Sequence, residues 1–467
     1  MIKRLRESPL TFLIVNYIKV FSFIMAYKYF PHTEEDIQEM LKVAGADSLQ
    51  ALYDEIPEEL KLKGEYNLPE AKSEEEIRRE FERLGKMNTP LVCFAGAGVY
   101  DHYTPSVISY ITQRSEILTS YTPYQAEISQ GTLQYIFEYQ TLMADLTGMD
   151  ISNASMYDGC TATAEAMLMA VANAKKANRV LISAALNPAV LRITKTYAYF
   201  HGVDLEVIPA KDGVTDLDVL KAELEKGGVA GVIFGQPNYY GIVEDLEGVA
   251  DMCHASKALL IMNCPASTLA VLRTPGEWGA DIAVGDGQSL GCPMNYGGPY
   301  IGYLCTKTAL MRKMPGRIVG GTTDTNGQRT FVLTMQAREQ HIRRQKATSN
   351  ICTSQGMMTL FVTIYMALMG PKGLKEVNEM SYAGAHYLHD QLITTGLFED
   401  TFPGKPFFNE FCVRSKKNVA KLQKYLQEKG YLAGVKPEGM EDCLLLAVTE
   451  KRTKEEIDTL VSLIKEA

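Results

Sequence analysis

The sequence predicts an α/β fold built on a mostly parallel sheet that helices cover on both faces. Between residues 92 and 356, short runs of β-branched or apolar residues alternate with longer helical stretches. Strands this apolar must be buried on both faces, which favours parallel pairing between layers of helices. A chain of 467 residues that is 46% hydrophobic can bury more than one core. We therefore expect a large α/β domain at 92–356, with further segments on either side.

The segment before this domain is predicted to be a helical N-terminal arm over 26–91. Thr33 precedes Asp36 by three residues, and Ser73 precedes Glu76 by the same spacing. A hydroxyl followed by an acid at this distance is typical of the start of a helix. An arm of this kind in an oligomeric α/β enzyme usually wraps a neighbouring subunit.

Residues 1–25 are predicted to be a doubtful N-terminal extension. Basic residues from Lys3 onward precede an apolar run, which copies the outline of a signal peptide. Asn16 and Lys19 interrupt that run, and no small-residue cleavage site follows it. We therefore favour an over-extended gene start over a genuine extra helix.

Short apolar runs also predict the individual strands. In the large domain these strands are expected at 180–183, 205–208, 231–234, 259–262, 281–284 and 300–304. Residues 357–467 are predicted to form connecting helices and a small C-terminal α/β domain, with strands at 408–413 and 444–448. The last helix should begin at Thr453, because Glu456 follows it by three residues.

The composition argues against several classes of protein. The net charge of −9 is spread along the chain, so we expect neither nucleic acid nor a membrane surface as a partner. The 9 cysteines are scattered and never spaced as C-x-x-C, which is typical of a reducing compartment, and we expect a cytoplasmic protein. The histidines show no metal-ligand spacing, and we expect no metal. A nucleophile elbow, a P-loop and a dinucleotide fingerprint are all missing from the sequence, which argues against a self-contained hydrolase or nicotinamide enzyme.

Four segments, at 96–108, 122–167, 284–304 and 314–355, carry a resemblance to a known family. The last of them contains the long irregular run R-E-Q-H-I-R-R-x-K-A-x-S-N-I-C-T. Together they resemble the P-protein of the glycine cleavage system, and more narrowly the subunit 1 (α) chains of two-chain glycine dehydrogenases (decarboxylating). The resemblance extends from about Tyr29 to the C-terminus. It implies the pyridoxal-phosphate-dependent transferase fold of the aspartate aminotransferase type (fold type I).

Pyridoxal chemistry needs a lysine amine that holds the aldehyde carbon and a carboxylate that keeps the ring nitrogen protonated. By the resemblance, Gln288 occupies the lysine position and Cys264 the carboxylate position. The family's α chains usually carry Ala-Asp-Pro where this chain has Asn263-Cys264-Pro265. We therefore expect no catalytic residue in this chain, and expect the pyridoxal phosphate to be held covalently by a partner β subunit.

The function that the resemblance implies belongs to a complex. With a lysine-bearing β subunit (subunit 2), as an α2β2 heterotetramer, the chain would decarboxylate glycine and transfer the aminomethyl group to the lipoyl group of H-protein, an oxidoreductase step of glycine catabolism. One alternative is a regulatory or scaffold pseudoenzyme of the same fold. A weaker alternative is that the chain acts alone on another substrate, with Lys307 or Lys346 as the nucleophile.

Three groups of residues are candidates for a site. Gly159, Cys160 and Thr161 open a helix whose amides could hold a phosphate, or they form a vestigial turn that is retained for packing. Tyr100, His102 and Tyr103 lie on a Gly-preceded loop, which by the resemblance reaches the partner's active site and lies far from any chemistry in its own chain. Interface packing is the other reading of that loop.

The third group is a dense cluster of hydrogen-bond donors near the end of the large domain. It could grip a carboxylate or a phosphate, or it could be a solvated face with ordinary salt bridges. The resemblance favours a site or channel at the subunit interface. The cluster contains Arg343, Arg344, Lys346, Thr348, Ser349 and Asn350.

Overall fold

The computed structural model describes residues 32–64 and 66–467. Contacts divide the chain into two units, Met1–Asn88 and Thr89–Ala467, which we describe separately. The expectation of a misplaced gene start at 1–25 lies outside the described residues.

The first unit contains the helices α1 (Glu34–Ala44) and α2 (Glu74–Gly85). Both predicted helix starts are confirmed. The Thr33 hydroxyl accepts a hydrogen bond from the Asp36 amide, and the Asp36 carboxylate accepts one from the Thr33 amide. Ser73 and Glu76 make the same reciprocal pair. These bonds satisfy amides that the first turn of a helix leaves free.

The second unit is built around a seven-stranded sheet with the order β2-β10-β9-β8-β7-β3-β4. Strands β9, β8, β7, β3 and β4 are parallel, and β10 pairs antiparallel with β9 and with β2. The predicted mostly parallel sheet is confirmed. The strands of this sheet are β2 (Ile151–Ser152), β3 (Arg179–Ser183), β4 (Asp204–Ile208), β7 (Val229–Gly235), β8 (Leu259–Asn263), β9 (Ile282–Asp286) and β10 (Gly302–Thr306).

Helices cover both faces of this sheet. One apolar core contains Leu181, Phe234 and Met262, and the other contains Ile182, Ile233 and Ile261, so successive residues of a strand face opposite layers. The covering helices are α3 (Ser106–Thr112), α5 (Gln130–Thr147), α6 (Gly159–Asn173), α7 (Pro188–His201), α8 (Leu217–Glu225) and α9 (Val249–Ala255), and the short helix α4 (Ser115–Leu118) after α3 has no buried residue. A minor hairpin of β5 (Ala210–Lys211) and β6 (Val214–Thr215) follows β4.

The long helix α11 (Gly356–Thr394) follows the large sheet. It is kinked at Gly370, whose backbone is not helical and which directly precedes Pro371. It is long and apolar enough to cross a membrane. Its buried residues, among them Val362 and Leu388, instead pack in two of the protein cores.

The C-terminal layer has a three-stranded antiparallel sheet with the order β13-β14-β16. Its strands are β13 (Phe398–Asp400), β14 (Glu410–Ser415) and β16 (Cys443–Ala447), and its helices are α12 (Val419–Glu428) and α13 (Lys454–Glu466). Thr453 caps α13 as predicted.

Two features differ from the sequence-based expectation. The strand β1 (Val92–Cys93) pairs with β15 (Tyr431–Leu432), and Phe94 packs in the C-terminal core, so residues 92–94 belong with the C-terminal layer and not with the large domain. The segment 318–334 forms an unpredicted hairpin of β11 (Ile318–Thr323) and β12 (Arg329–Thr334), followed by the short helix α10 (Gln340–Arg343). The partners of β1 are far away in sequence, which is why local patterns did not reveal the pairing.

Candidate functional site

A cavity of about 290 Å³ lies at the carboxyl ends of the parallel strands. Residues that end or follow β3, β7, β8 and β9 line it, together with the first residues of α6 and the loop at 97–100. The carboxyl edge of a parallel sheet is where ligands of such folds bind. We call this space the strand-end cavity.

At this cavity, two carboxylates accept hydrogen bonds from amides in the first turn of α6. The Asp158 side chain accepts a hydrogen bond from the Thr161 amide at 2.7 Å, and Asp286 at the end of β9 accepts one from the Gly159 amide at 3.1 Å. A Cβ on Gly159 would lie 2.7 Å from the Asp286 nitrogen, so only glycine lets the helix approach this closely. Two of the three amides that could hold a phosphate, those of Gly159 and Thr161, therefore already have acceptors within the chain.

The same contacts make this end of the cavity acidic. Burial raises the pKa of Asp286 to about 7, against hydrogen bonds from the Gln288 and Gly159 amides that lower it, and the neighbouring Asp158 raises it further. Burial raises the pKa of the Cys160 thiol to about 12, so this thiol stays protonated at neutral pH. The predicted phosphate turn, Gly159 to Thr161, is present, but two carboxyl groups face the place of the phosphate.

The end of β8 requires a correction to the sequence-based assignment. Asn263 lines the strand-end cavity, and its Nδ2 donates to Thr163 Oγ1 at 2.7 Å. Cys264 is 1% exposed and packs in the apolar core on the other face of the sheet. Adjacent strand residues point to opposite faces, so the side chain that faces the cavity is the Asn263 amide and not the Cys264 thiol.

Gln288, the residue in the lysine position, is held inside the fold. Its Nε2 donates to the carbonyls of Tyr100 and Cys292, both at 2.9 Å, and its Oε1 accepts from the Tyr100 amide at 3.0 Å. The side chain is 2% exposed and does not line the strand-end cavity. The hydrogen bonds of Gln288 hold the 97–100 loop against the end of the sheet, so the role of this side chain is structural.

The loop residue Tyr100 lies in its own chain's cavity. Its hydroxyl donates to Glu410 Oε2 at 2.8 Å, and Glu410 Oε1 accepts from the Ala97 amide at 2.6 Å. Burial raises the pKa of Glu410 to about 7, against those two hydrogen bonds. Glu410 on β14 therefore holds Tyr100 inside a cavity of its own chain, and the expectation that this loop reaches the partner's active site stays a prediction.

The next two loop residues differ in exposure. His102 is buried, and its Nδ1 lies 2.6 Å from Glu450 Oε2. The amide of Tyr103 donates to Glu450 Oε1 at 2.7 Å, while its ring is 59% exposed. Of the three predicted loop residues, only Tyr103 is available on the surface of this chain.

The predicted donor cluster does not converge on one point. Arg343 and Thr348 line a separate cavity of about 640 Å³ beside the middle of α6, together with Glu165. Ser349 Oγ donates to Glu165 Oε1 at 2.6 Å, and burial raises the pKa of Glu165 to about 7. Arg344, Lys346 and Asn350 are exposed.

The two alternative nucleophiles are not in the strand-end cavity. Lys307 Nζ pairs with Asp281 Oδ1 at 3.0 Å, beyond the amino end of β9 and thus at the opposite edge of the sheet. Lys346 lies in the exposed donor cluster. Neither lysine supports the hypothesis of a self-contained enzyme.

Sequence reasoning missed Asp286, Glu410 and Asn263. A signal for the two acids was available, since Asp286 ends one apolar strand run and Glu410 begins another, and acids are rarely buried without a reason. Asn263 stands beside the residue that was chosen, and only the register of β8 decides between them.

The strand-end cavity does not fit pyridoxal phosphate. Its described lining contains the carboxyl groups of Asp158, Asp286 and Glu410, and no lysine, arginine or histidine. A phosphate dianion there would face carboxylates without a compensating cation, and Asn263 cannot supply the carboxylate that a pyridinium nitrogen needs.

The glycine cleavage system P-protein family matches residues 27–464 of the chain. A protein of Anoxybacillus flavithermus named "Probable glycine dehydrogenase (decarboxylating) subunit 1" is 48% identical over 445 residues, which are 94% of this chain and 98% of the relative. The protein of the same name from Moorella thermoacetica is 46% identical over 442 residues, covering 94% and 99%.

Solved structures give the same result for the fold. A glycine decarboxylase (P-protein) of the glycine cleavage system, in inhibitor-bound form, is 42% identical with a TM-score of 0.87, and the match covers 95% of this chain and 100% of that one. Glutamate decarboxylase of Lactobacillus brevis matches at 14% identity with a TM-score of 0.65, covering 87% and 95%, which shows the fold alone. The predicted fold class, that of pyridoxal-phosphate-dependent fold type I enzymes, is confirmed.

Proposed function

This chain belongs to the glycine cleavage system P-protein family, and we propose that it is the α subunit of a two-chain glycine decarboxylase. One observation carries the proposal: a pyridoxal-type fold that extends over 95% of the chain surrounds a cavity whose described lining lacks the groups that pyridoxal chemistry needs. Such a chain contributes to catalysis only if another subunit supplies the reacting site. The name subunit 1 of its relatives implies a partner subunit.

In the proposed α2β2 complex, a lysine of the β subunit (subunit 2) holds the pyridoxal phosphate covalently. The cofactor supplies the electron sink for the loss of CO₂ from glycine. The complex then transfers the aminomethyl group to the lipoyl group of H-protein. The hydrogen bonds that commit Gln288 to the 97–100 loop support the assignment of the lysine to the partner.

This chain would supply part of the wall of the partner's site. The Tyr103 ring is exposed at the end of a loop whose backbone is fixed by Glu450, so it can project from a rigid base. Arg344 and Asn350 are also exposed and could bind an anionic group. We further propose a cytoplasmic location, which is supported by nine cysteines that are all free.

Reconstitution tests the proposal directly. We expect the purified chain to show no internal-aldimine absorbance, and the mixture with a lysine-bearing β subunit to release CO₂ from glycine in the presence of lipoylated H-protein. Borohydride reduction followed by peptide mapping should place the pyridoxyl group on the β subunit. A pyridoxyl-lysine peptide from this chain would refute the proposal, and β-subunit activity that is independent of this chain would favour a scaffold or regulatory role.

The reconstituted complex also tests Tyr103. We expect Tyr103→Ala to reduce glycine decarboxylation by about tenfold or more, because an aromatic hydroxyl that positions the reacting group acts through orientation and electrostatics. Tyr199→Ala, at an 80% exposed tyrosine on α7, is the matched control and should leave the rate unchanged. If both variants keep the wild-type rate, with intact assembly and cofactor content, the loop contributes only packing at the subunit interface.

A further inference from the structure

Arg317 is a buried arginine without an ion-pair partner in the described part of the chain. It is 4% exposed, and its Nε has no hydrogen-bond acceptor. One of its terminal nitrogens donates to the Cys352 carbonyl. Its guanidinium carbon lies 5.4 Å from the centre of the Tyr124 ring, which covers one side of it. A buried, permanently charged group of this kind is costly unless an anion compensates it.

Arg317 lines a cavity of about 260 Å³ that also contains the start of α11. Gly356 and Met357 line this cavity, and Gln355 at the N-cap makes no side-chain cap. The first turn has no acidic residue, and the amides of Gly356 to Met358 have no acceptor among the described residues. Free amides at a helix start favour a negatively charged group.

The rest of the lining is neutral and rich in hydroxyl groups. The described lining contains no carboxylate, and its serine and threonine residues are Ser120, Thr122, Thr132, Thr353 and Ser354. Glu339 lies outside the lining and forms no ion pair with Arg317, although burial raises the pKa of this carboxyl group and the charge of Arg317 opposes that rise. The Ser120 and Ser354 hydroxyl groups already donate to backbone carbonyls, so the cavity combines one cation, a helix start and the threonine hydroxyl groups. We call it the Arg317 cavity.

We propose that the Arg317 cavity binds a small oxyanion, namely a phosphate or carboxylate group. The free Arg317 Nε and the α11 amides supply charge-assisted donors, and the hydroxyl of Thr122 supplies a neutral one. This site shares no lining residue with the strand-end cavity. The two cavities differ in charge. At the start of α6, carboxylates accept hydrogen bonds from two helix amides, whereas the free amides at the start of α11 share a cavity with a buried arginine. The proposal does not depend on the proposed function.

Titration calorimetry on the full-length chain tests this site, with inorganic phosphate and glycine as separate ligands and constant ionic strength. We expect saturable binding of at least one of them. Arg317→Gln should weaken that binding by about tenfold or more, and Thr122→Val by about threefold to tenfold, because each removes a donor. Arg273→Gln removes a partly exposed arginine elsewhere and should leave the affinity unchanged.

Each possible result of this experiment either supports the proposed oxyanion site or overturns it. Tighter binding of phosphate assigns the site to a phosphate group, and tighter binding of glycine assigns it to an amino-acid carboxylate. Absence of saturable binding by both ligands overturns the proposal, as does an affinity that Thr122→Val leaves at the wild-type value. The threonine variant keeps the shape of the side chain, so it decides the matter even if Arg317→Gln fails to fold.

Discussion

Gly159→Ala is expected to lower the free energy of unfolding by about 2–4 kcal/mol. A Cβ at this position would lie 2.7 Å from the Asp286 nitrogen and 2.9 Å from the Gly285 carbonyl carbon. Both neighbours are backbone atoms of β9, so a side chain cannot rotate away to make room. The helix start must move off the sheet, and the hydrogen bond from the Gly159 amide to Asp286 is then lost.

Gly131→Ala is the matched control for that experiment. Gly131 lies in the first turn of α5, and an added Cβ would meet nothing within 4 Å. Alanine favours a helix over glycine, so we expect a change of less than about 1 kcal/mol, in the stabilising direction. Urea unfolding followed by circular dichroism measures both variants. Similar losses in the two variants would mean that the contact between α6 and β9 is not close in solution.

Local signals were enough to predict much of this fold. The six predicted strands of the large domain overlap the strands β3, β4, β7, β8, β9 and β10, because a short apolar run between helices is itself the signature of a strand that is buried on both faces. The capping pairs at Thr33, Ser73 and Thr453 were readable because both members lie within four residues.

Long-range pairing was not readable in the same way. Val92–Cys93 looks like a first strand of the large domain, but its partner is Tyr431–Leu432, more than 300 residues away. The hairpin of β11 and β12 contains Gly320, Gly321 and many polar residues, so its strands lack the apolar pattern that marked the others. Pairing of this kind is decided by contacts between distant segments, which periodicity does not report.

At the candidate site too, local sequence patterns predicted some features, whereas contacts between distant residues decide the others. The sequence predicted that a helix opens at Gly159, and the capping box between Asp158 and Thr161 confirms it. It could not show that Asp286, 127 residues further along, takes the Gly159 amide. Whether Asn263 or Cys264 faces the cavity depends on the register of β8. Because this strand is buried on both faces, it lacks the alternation of apolar and polar residues that would show which side chains face which layer. The sequence therefore indicates the loss of the cofactor site chiefly through the missing lysine and the missing carboxylate.

The lysine position provides the other large expected effect. Gln288→Lys should lower the free energy of unfolding by about 2–4 kcal/mol, because the Tyr100 amide loses its acceptor and a cation is buried in place of a neutral amide. We also expect no pyridoxyl group on the introduced lysine after incubation with pyridoxal phosphate and borohydride. Asp286 would still accept the hydrogen bond from the Gly159 amide, and residue 263 would still present an amide to the cavity in place of a carboxylate.

Gln427→Lys is the control for this change, because Gln427 is exposed on α12 and the same substitution there buries no charge. We expect it to alter the free energy of unfolding by less than about 0.5 kcal/mol. Asn263→Asp combined with Gln288→Lys sharpens the test, since it supplies the lysine and the ring-nitrogen carboxylate together. If carboxylates at the α6 start exclude the phosphate, the double variant should also fail to retain the cofactor. Stable pyridoxyl labelling of the introduced lysine in the single variant Gln288→Lys would show that the missing lysine alone excludes the cofactor, and labelling of the double variant only would show that the ring-nitrogen carboxylate is needed as well.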